Sequence, residues 1–228
     1  GFVLENALSN LSDDWNVYIF HSASNKLYLK DIIDNRLLHY SHRIISHELP
    51  INTMTTKSYS KLLADPEFYN YIPTDCFLVF QTDTMIFREH RGLINDFLDY
   101  DYVGAPWRNG KIGNGGLSFR KKAKMLEIID KKPYKGEHED IYFTQNLADI
   151  ELKVPDFETA KKFSVETVYC ETSFGIHKCW RYITKRDLSH LVLKDIGLET
   201  LIALHQEDKG QRTGDKIETK STSKNKSK

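Results

Sequence analysis

Four groups of residues have the types and spacing to do chemistry. Asp83 follows the carboxyl end of the apolar run Cys76-Phe-Leu-Val-Phe80, within Gln81-Thr82-Asp83. In open α/β sheets ligands bind beyond strand ends of this kind. A carboxylate there can hold a hard divalent cation, and the cation a diphosphate; the same residue could equally cap a turn. Gly113-Asn-Gly-Gly116 has three glycines in four residues, which either bring a backbone close to a ligand or make a plain hairpin turn. Trp107 and Asn114 beside it offer a stacking face and a two-way hydrogen bonder, a combination that binds sugars, though tryptophan is also a common core residue. Glu139-Asp140 open a helical stretch. Taken alone, they read first as acids favoured by the helix dipole and second as a general base. His177-Lys178 pairs a metal-competent imidazole with an ammonium suited to phosphate, in a segment without clear period.

Other chemistries lack their signatures. There is no G-x-S-x-G, P-loop or H-E-x-x-H. The glycine loop is not G-x-G-x-x-G and opens no long helix, which argues against a Rossmann dinucleotide site. Cys76, Cys170 and Cys179 form no C-x-x-C pair, so neither a zinc site nor a disulfide framework is indicated; Cys170 and Cys179 leave open a bridged loop. No apolar run approaches the roughly 18 residues of a membrane helix, and no signal pattern is visible. With a reducing compartment as the default, a cytoplasmic location is expected. Lys and Arg number 32, as do Asp and Glu, so the chain as a whole makes no case for nucleic-acid binding. The balance is uneven. Lys209 to Lys228 carry seven Lys and Arg against two Asp and Glu, a net +5 that leaves −5 on the rest.

The elements that must position these residues alternate, which argues for an α/β layered fold. A helix is expected at Phe2 to Leu11, its apolar residues at helical spacing and its start cut away, so that an upstream strand is missing. Strands are expected at Trp15 to His21, Arg43 to Glu48, Tyr102 to Gly104 and Leu117 to Phe119. Cys76 to Phe80 is the strongest; its continuous apolar character predicts a strand covered on both faces. Helices are expected at Leu27 to Ile33, Thr56 to Leu63, His90 to Leu98, Lys121 to Asp130, Glu139 to Ala148, Phe157 to Val165 and Asp187 to His205, the last interrupted at Gly197. Residues 1–206 read as one domain, and 207–228, rich in Lys, Ser, Thr and Gly, as a disordered basic tail.

Taken in order, these pieces resemble the GT-A class of nucleotide-sugar glycosyltransferases. Phe80-Gln-Thr-Asp83, Tyr102-Val-Gly-Ala-Pro-Trp107, Gly113-Asn-Gly-Gly116, Glu139-Asp140, Phe163-Ser-Val-Glu166 and Gly175-Ile-His-Lys178 are similar to a microbial and viral glycosyltransferase-like branch of that class. The resemblance spans Phe2 to Trp180. It implies a GT-A-like, Rossmann-like mixed central sheet flanked by helices, lacking its first strand. Gln81-Thr82-Asp83 would be a degenerate DxD motif whose first position departs from the pattern.

The resemblance further implies Mn²⁺ or Mg²⁺ held by Asp83 and His177 against the diphosphate of a nucleotide-sugar donor. Gln81, Thr82, Gly115, Gly116, Lys178, Trp107 and Asn114 would surround donor and acceptor. Asp140, with Glu139 as the fallback, would take a proton from the acceptor hydroxyl if the anomeric carbon is inverted. The acceptor would be a glycan, a protein or a small molecule. Two other readings stand beside this one. Gln81 and the abrupt start suit a sugar- or nucleotide-binding module without turnover. A phosphohydrolase on Asp83 and His177 would call for more carboxylates, often around two metals about 4 Å apart.

Overall fold

The computed structural model describes residues 1–206; the expected tail lies outside them. The fold is mixed α/β, but its strands form three small sheets instead of one central sheet. β1 (Val17–Ser22) and β2 (Ile44–Leu49) pair in parallel, Val17 opposite Ile44. β3 (Cys76–Phe80), β5 (Tyr102–Gly104) and β6 (Leu117–Lys121) form an antiparallel sheet in the order β3-β6-β5. β4 (Thr84–Ile86), β7 (Ser164–Val165) and β8 (Gly175–His177) form the third, in the order β4-β8-β7.

Alternation along β6 explains how the second sheet is covered. Leu117 and Phe119 face one way, into a core with Val103, Ile94, Phe97, Phe163 and Phe174. Ser118 and Arg120 must face the other. On that side Tyr102 joins a core with Met125, Ile128, Tyr142 and Phe143 from helices α4 (Lys122–Lys131) and α5 (Glu139–Thr144). Phe119 is completely buried, and truncating it to alanine would cost about 3–5 kcal/mol. The third sheet packs Met85, Val165 and Ile176 against Leu191 of a helix at Lys185–Lys194 and Leu198 and Leu201 of a last helix, 197–206.

Several elements differ from expectation for local reasons. Every residue of β3 is only half-buried, Phe77 flanking one core and Cys76, Leu78 and Phe80 another, whereas β5 and most of β6 in the same sheet are buried. The helix expected to run on to Ala148 stops at Thr144, and Asn146 and Ala148 take positive φ of 55° and 48°. The helix from Phe157 ends at Lys161, and Ser164-Val165 turn into sheet. Residues Arg88–Phe97 wind as a 3-10 helix. Cys170 and Cys179 are both free thiols; burial pushes Cys179 up to about 12, which leaves it protonated and inert.

Two side chains act as backbone surrogates. The Asn6 amide accepts from Ile86 N–H at 2.7 Å and donates to Ile86 C=O at 3.0 Å, closing the outer edge of β4 against helix α1 (Phe2–Asn10). Arg43, 2% exposed, spends all five N–H donors on the carbonyls of Leu8, Leu11, Ser12 and Trp15 and on Asp13. It fixes the connection from α1 to β1. Elsewhere, side-chain caps start helices where the sequence offers them. Thr55 and Ser58 form a capping box before Thr56–Leu63, and Thr184 caps Lys185–Lys194. Among the described residues no helix is long and apolar enough to cross a membrane.

Candidate functional site

The three-stranded sheet β4-β8-β7 assembles the site at one end. Antiparallel pairing sets Thr84 opposite His177, so Asp83, one residue earlier, meets Lys178; the Lys178 N–H donates to Asp83 C=O at 2.9 Å. Parallel pairing sets Val165 beside Ile176, so Glu166 falls beside His177. The result is a row of three side chains. His177 Nε2 is 3.2 Å from Asp83 Oδ1, and His177 Nδ1 is 3.3 Å from Glu166 Oε1. Both contacts are close but off-axis, and Asp83 Oδ1 and the two ring nitrogens are buried without a well-directed hydrogen bond. Lys178 Nζ lies 3.5 Å from Asp83 Oδ2. Lys178 itself sits in the left-handed region at φ 51°, a strained position for a lysine.

Electrostatics follow from the row. Burial disfavours the Asp83 carboxylate, but the neighbouring His177 imidazole, with Lys178 and His205, more than offsets it and holds the carboxyl at about 2. Burial also opposes charge on His177, yet Asp83 and Glu166 raise it above its ordinary value. His205, on the last helix, reaches back to the same turn: its Nε2 bonds Thr82 C=O at 2.9 Å while its ring stacks on Trp180.

The glycine loop packs onto this row. Gln81 N–H donates to Gly116 C=O at 2.9 Å. A methyl group on Gly116 would overlap Cε1 and Nε2 of His177, and one on Gly115 would overlap Oε1 of Glu139. Absent Cβ atoms thus let backbone lie directly on the side chains of His177 and Glu139. Asn114 is buried and spends its amide oxygen on Gly116 N–H at 3.1 Å, so that oxygen braces the loop. Trp107 is half-buried on a turn closed by its own N–H to Lys111 C=O.

The acid pair divides in two. Glu139 is buried and its Oε2 meets Arg120 Nη2 at 2.7 Å. Burial raises its carboxyl, and Arg120 opposes the shift. Asp140 is half-buried, accepts from Ile141 N–H at 2.8 Å, and is raised by burial against the pull of that N–H and of Arg120. The charge of Glu166 adds to the rise. Geometry therefore separates the two acids: Glu139 is locked in an internal ion pair, while Asp140 is partly open.

Sequence reasoning brought together Asp83, His177, Lys178, Gln81, Gly115, Gly116 and Glu139, and all of these meet. It gave no role to Glu166, Arg120 or His205. Arg120 had a signal: a guanidinium at a position that alternation turns inward in Leu117-Ser-Phe-Arg120 demands a buried anion. Among the described residues no third His, Cys, Asp or Glu groups with Asp83 and His177 as a metal cage. Two donors at 3.2 Å do match neighbouring corners of an octahedral shell, which at bonds of about 2.1 Å lie about 3 Å apart. Magnesium-type sites commonly take one or two protein ligands and fill the rest with phosphate oxygens and water. Two cavities, about 390 and 290 Å³, lie elsewhere: one beside Arg88, His90 and Lys194, the other between Phe2, Arg36 and Gly197.

Comparison with known proteins adds the following. No curated protein matches the sequence. Among solved structures, HddC from Yersinia pseudotuberculosis, crystallised in complex with GMP-PN, is similar at a TM-score of 0.37 and 13% identity, over 63% of this chain and 74% of that one. At that level the likeness carries no weight for fold or function. Residues 43–177 match a family described as "Protein of unknown function (DUF5672)". The match runs from the buried Arg43 to His177 and takes in the glycine loop, the acid pair and the row of site residues. Since it covers more than half of the chain, the protein belongs to the DUF5672 family.

Proposed function

We propose that this protein is a metal-dependent glycosyltransferase that moves a sugar from a nucleotide-sugar donor to an acceptor hydroxyl. The observation that carries the reading is the Asp83–His177 pair: two metal-competent donor atoms 3.2 Å apart, buried and without a directed hydrogen bond. Mn²⁺ or Mg²⁺ would be held by Asp83 Oδ1 and His177 Nε2. When bound, the cation offsets the charge that develops on a nucleoside diphosphate as it leaves.

The remaining work belongs to the chain's own residues. Lys178 supplies a second positive group beside Asp83, suited to a phosphate oxygen. The Gln81–Asp83 turn, braced by Gly116 and His205, fixes the carboxylate. Asp140 accepts the proton of the acceptor hydroxyl as that oxygen attacks, in the version that inverts the anomeric carbon. Glu139 and Arg120 hold the start of α5 so that Asp140 stays in place. Trp107 is the candidate stacking face for a sugar ring.

Calorimetric titration of UDP, and then GDP, with and without Mn²⁺ tests the reading. Binding that requires metal and disappears in Asp83→Ala is the expected result, followed by release of nucleoside diphosphate from the matching nucleotide sugar. Metal-dependent binding without transfer or hydrolysis of any donor would favour a binding module. No binding of either nucleotide would overturn the donor site.

A further inference from the structure

The row Asp83–His177–Glu166 has a consequence for the ring between the two acids. We propose that Glu166 is a positioning residue that sets the tautomer and orientation of His177, holding its proton on Nδ1 and leaving the Nε2 lone pair turned toward Asp83. The step rests on the reading of His177 as a metal ligand only for its purpose; the arrangement of the ring is a property of the chain itself.

β7 and β8 run parallel with Val165 beside Ile176, so the next residue of each strand, Glu166 and His177, must be neighbours. β4 runs antiparallel on the other side of β8, and Asp83 precedes Thr84, the partner of His177. One imidazole therefore sits between two carboxylates, with a different ring nitrogen toward each: Nδ1 at 3.3 Å from Glu166 and Nε2 at 3.2 Å from Asp83.

The two acids are not equivalent. Asp83 has the Lys178 ammonium 3.5 Å from its Oδ2 and lies on a turn beside the exposed Thr82, while its Oδ1, buried without a directed hydrogen bond, is the atom that faces Nε2. Glu166 is 6% exposed and makes no other ion pair among the described residues. A buried carboxylate costs several kcal/mol unless a donor meets it, and His177 Nδ1 stands 3.3 Å from Glu166 Oε1. A neutral imidazole carries one N–H, so giving it to Glu166 makes Nε2 an acceptor. Histidines that ligate metals are held in this way, the second ring nitrogen donating to a carboxylate, and loss of that partner typically costs 10–100-fold in metal affinity. The contact is long and off-axis here, as such bonds often are before a ligand draws them tight. Gly116 packs so closely on Cε1 and Nε2 that a methyl group there would overlap the ring.

The test reads the ring directly. Nitrogen-15 NMR of imidazole-labelled protein without metal, at a pH where the His177 ring is neutral, reports which nitrogen carries the proton. Wild type is expected as the Nδ1–H form, and Glu166→Gln, whose amide oxygen can still accept, keeps it. Glu166→Ala is expected to shift to Nε2–H or a mixture, and to lose 10–100-fold in Mn²⁺ affinity by calorimetry. An Nε2–H ring in wild type overturns the proposal whether or not any variant folds, as does an unchanged tautomer in folded Glu166→Ala. If no form of the protein binds Mn²⁺ but the tautomer still switches, the role of Glu166 stands and the metal reading falls.

Discussion

Gly116 lies so close against His177 that a methyl group at position 116 would occupy the space of Cε1 and Nε2. Gly116 is opposite Gln81 through the Gln81 N–H bond, so it cannot recede without disturbing the turn that carries Asp83. Gly116→Ala must therefore push the ring. We expect a loss of about 1–3 kcal/mol from overpacking and at least a tenfold loss in Mn²⁺-dependent nucleotide binding. Gly92→Ala, whose methyl would meet nothing within 4 Å, is the matched control and should leave both unchanged. Equal binding in the two variants would show that the ring is not the ligand.

The Arg120–Glu139 pair gives a stability prediction. Both groups are buried, and among the described residues neither makes another ion pair, so no other charge takes up a stranded one. Removing one partner should cost about 3–5 kcal/mol, whereas replacing both with apolar residues of similar volume costs much less. In urea unfolding, Glu139→Leu should thus be less stable than Arg120→Met/Glu139→Leu. Additive losses would mean that the pair is not coupled.

These two relationships show what sequence can and cannot disclose. Cys76–Phe80 was legible as a strand because five apolar residues between turn residues leave no other element. Thr56–Leu63 was legible as a helix that ends before Asp65-Pro66, though the capping box of Thr55 and Ser58 that starts it was not. The third sheet was not. β4 and β8 have three residues each and β7 two, too short for any period to show. That sheet alone makes Glu166 a neighbour of His177, so its role stayed hidden although the residue was in view. Glycines 113–116 signalled a close approach but not to what. The approach is to Glu139 and His177 rather than to a visible ligand groove. Coverage of β3 was overestimated because apolar content does not say how deeply each face is packed.

Titration of the metal-free site has a definite sign. Asp83, held at about 2 against 3.8, stabilises the fold above pH about 4 and loses that contribution as pH falls toward 2; it is worth of order 2 kcal/mol. His177, raised above 6.5, contributes fully below that pH and loses its share as pH rises through its raised value. The difference in Tm between wild type and Asp83→Asn, measured in EDTA, should be largest between about pH 4 and 6.5 and shrink on both sides. A difference that stays constant from pH 3 to 9 would mean that the pair does not interact.

Lys178 combines strain with charge, and substitutions can separate the two. At φ 51° a glycine is at ease, so Lys178→Gly should keep or slightly raise Tm while removing the ammonium beside Asp83. Lys178→Met keeps the strain and removes the charge. Both should weaken Mn²⁺-dependent nucleotide binding by about tenfold, the order expected of one charge-assisted contact. If only Lys178→Gly weakens binding, the held backbone conformation, and not the ammonium, is what the site requires.

Asp140 and Glu139 are adjacent in sequence yet should fail in different ways. Asp140 is half-open and raised by burial, as suits a group that must accept a proton; Glu139 has its carboxylate against Arg120 and Gly115. Asp140→Asn should retain fold and Mn²⁺-dependent nucleotide binding but lower kcat for transfer by about 10²–10⁴. Glu139→Gln should first lower Tm, and what activity survives at low temperature should keep a normal pH profile. The discriminating measurement is kcat against pH on a donor identified by titration. Wild type should lose an ionisation on the acid limb when Asp140 is replaced and keep it when Glu139 is. The reverse result would give the base to Glu139, and require the Arg120 ion pair to open during turnover.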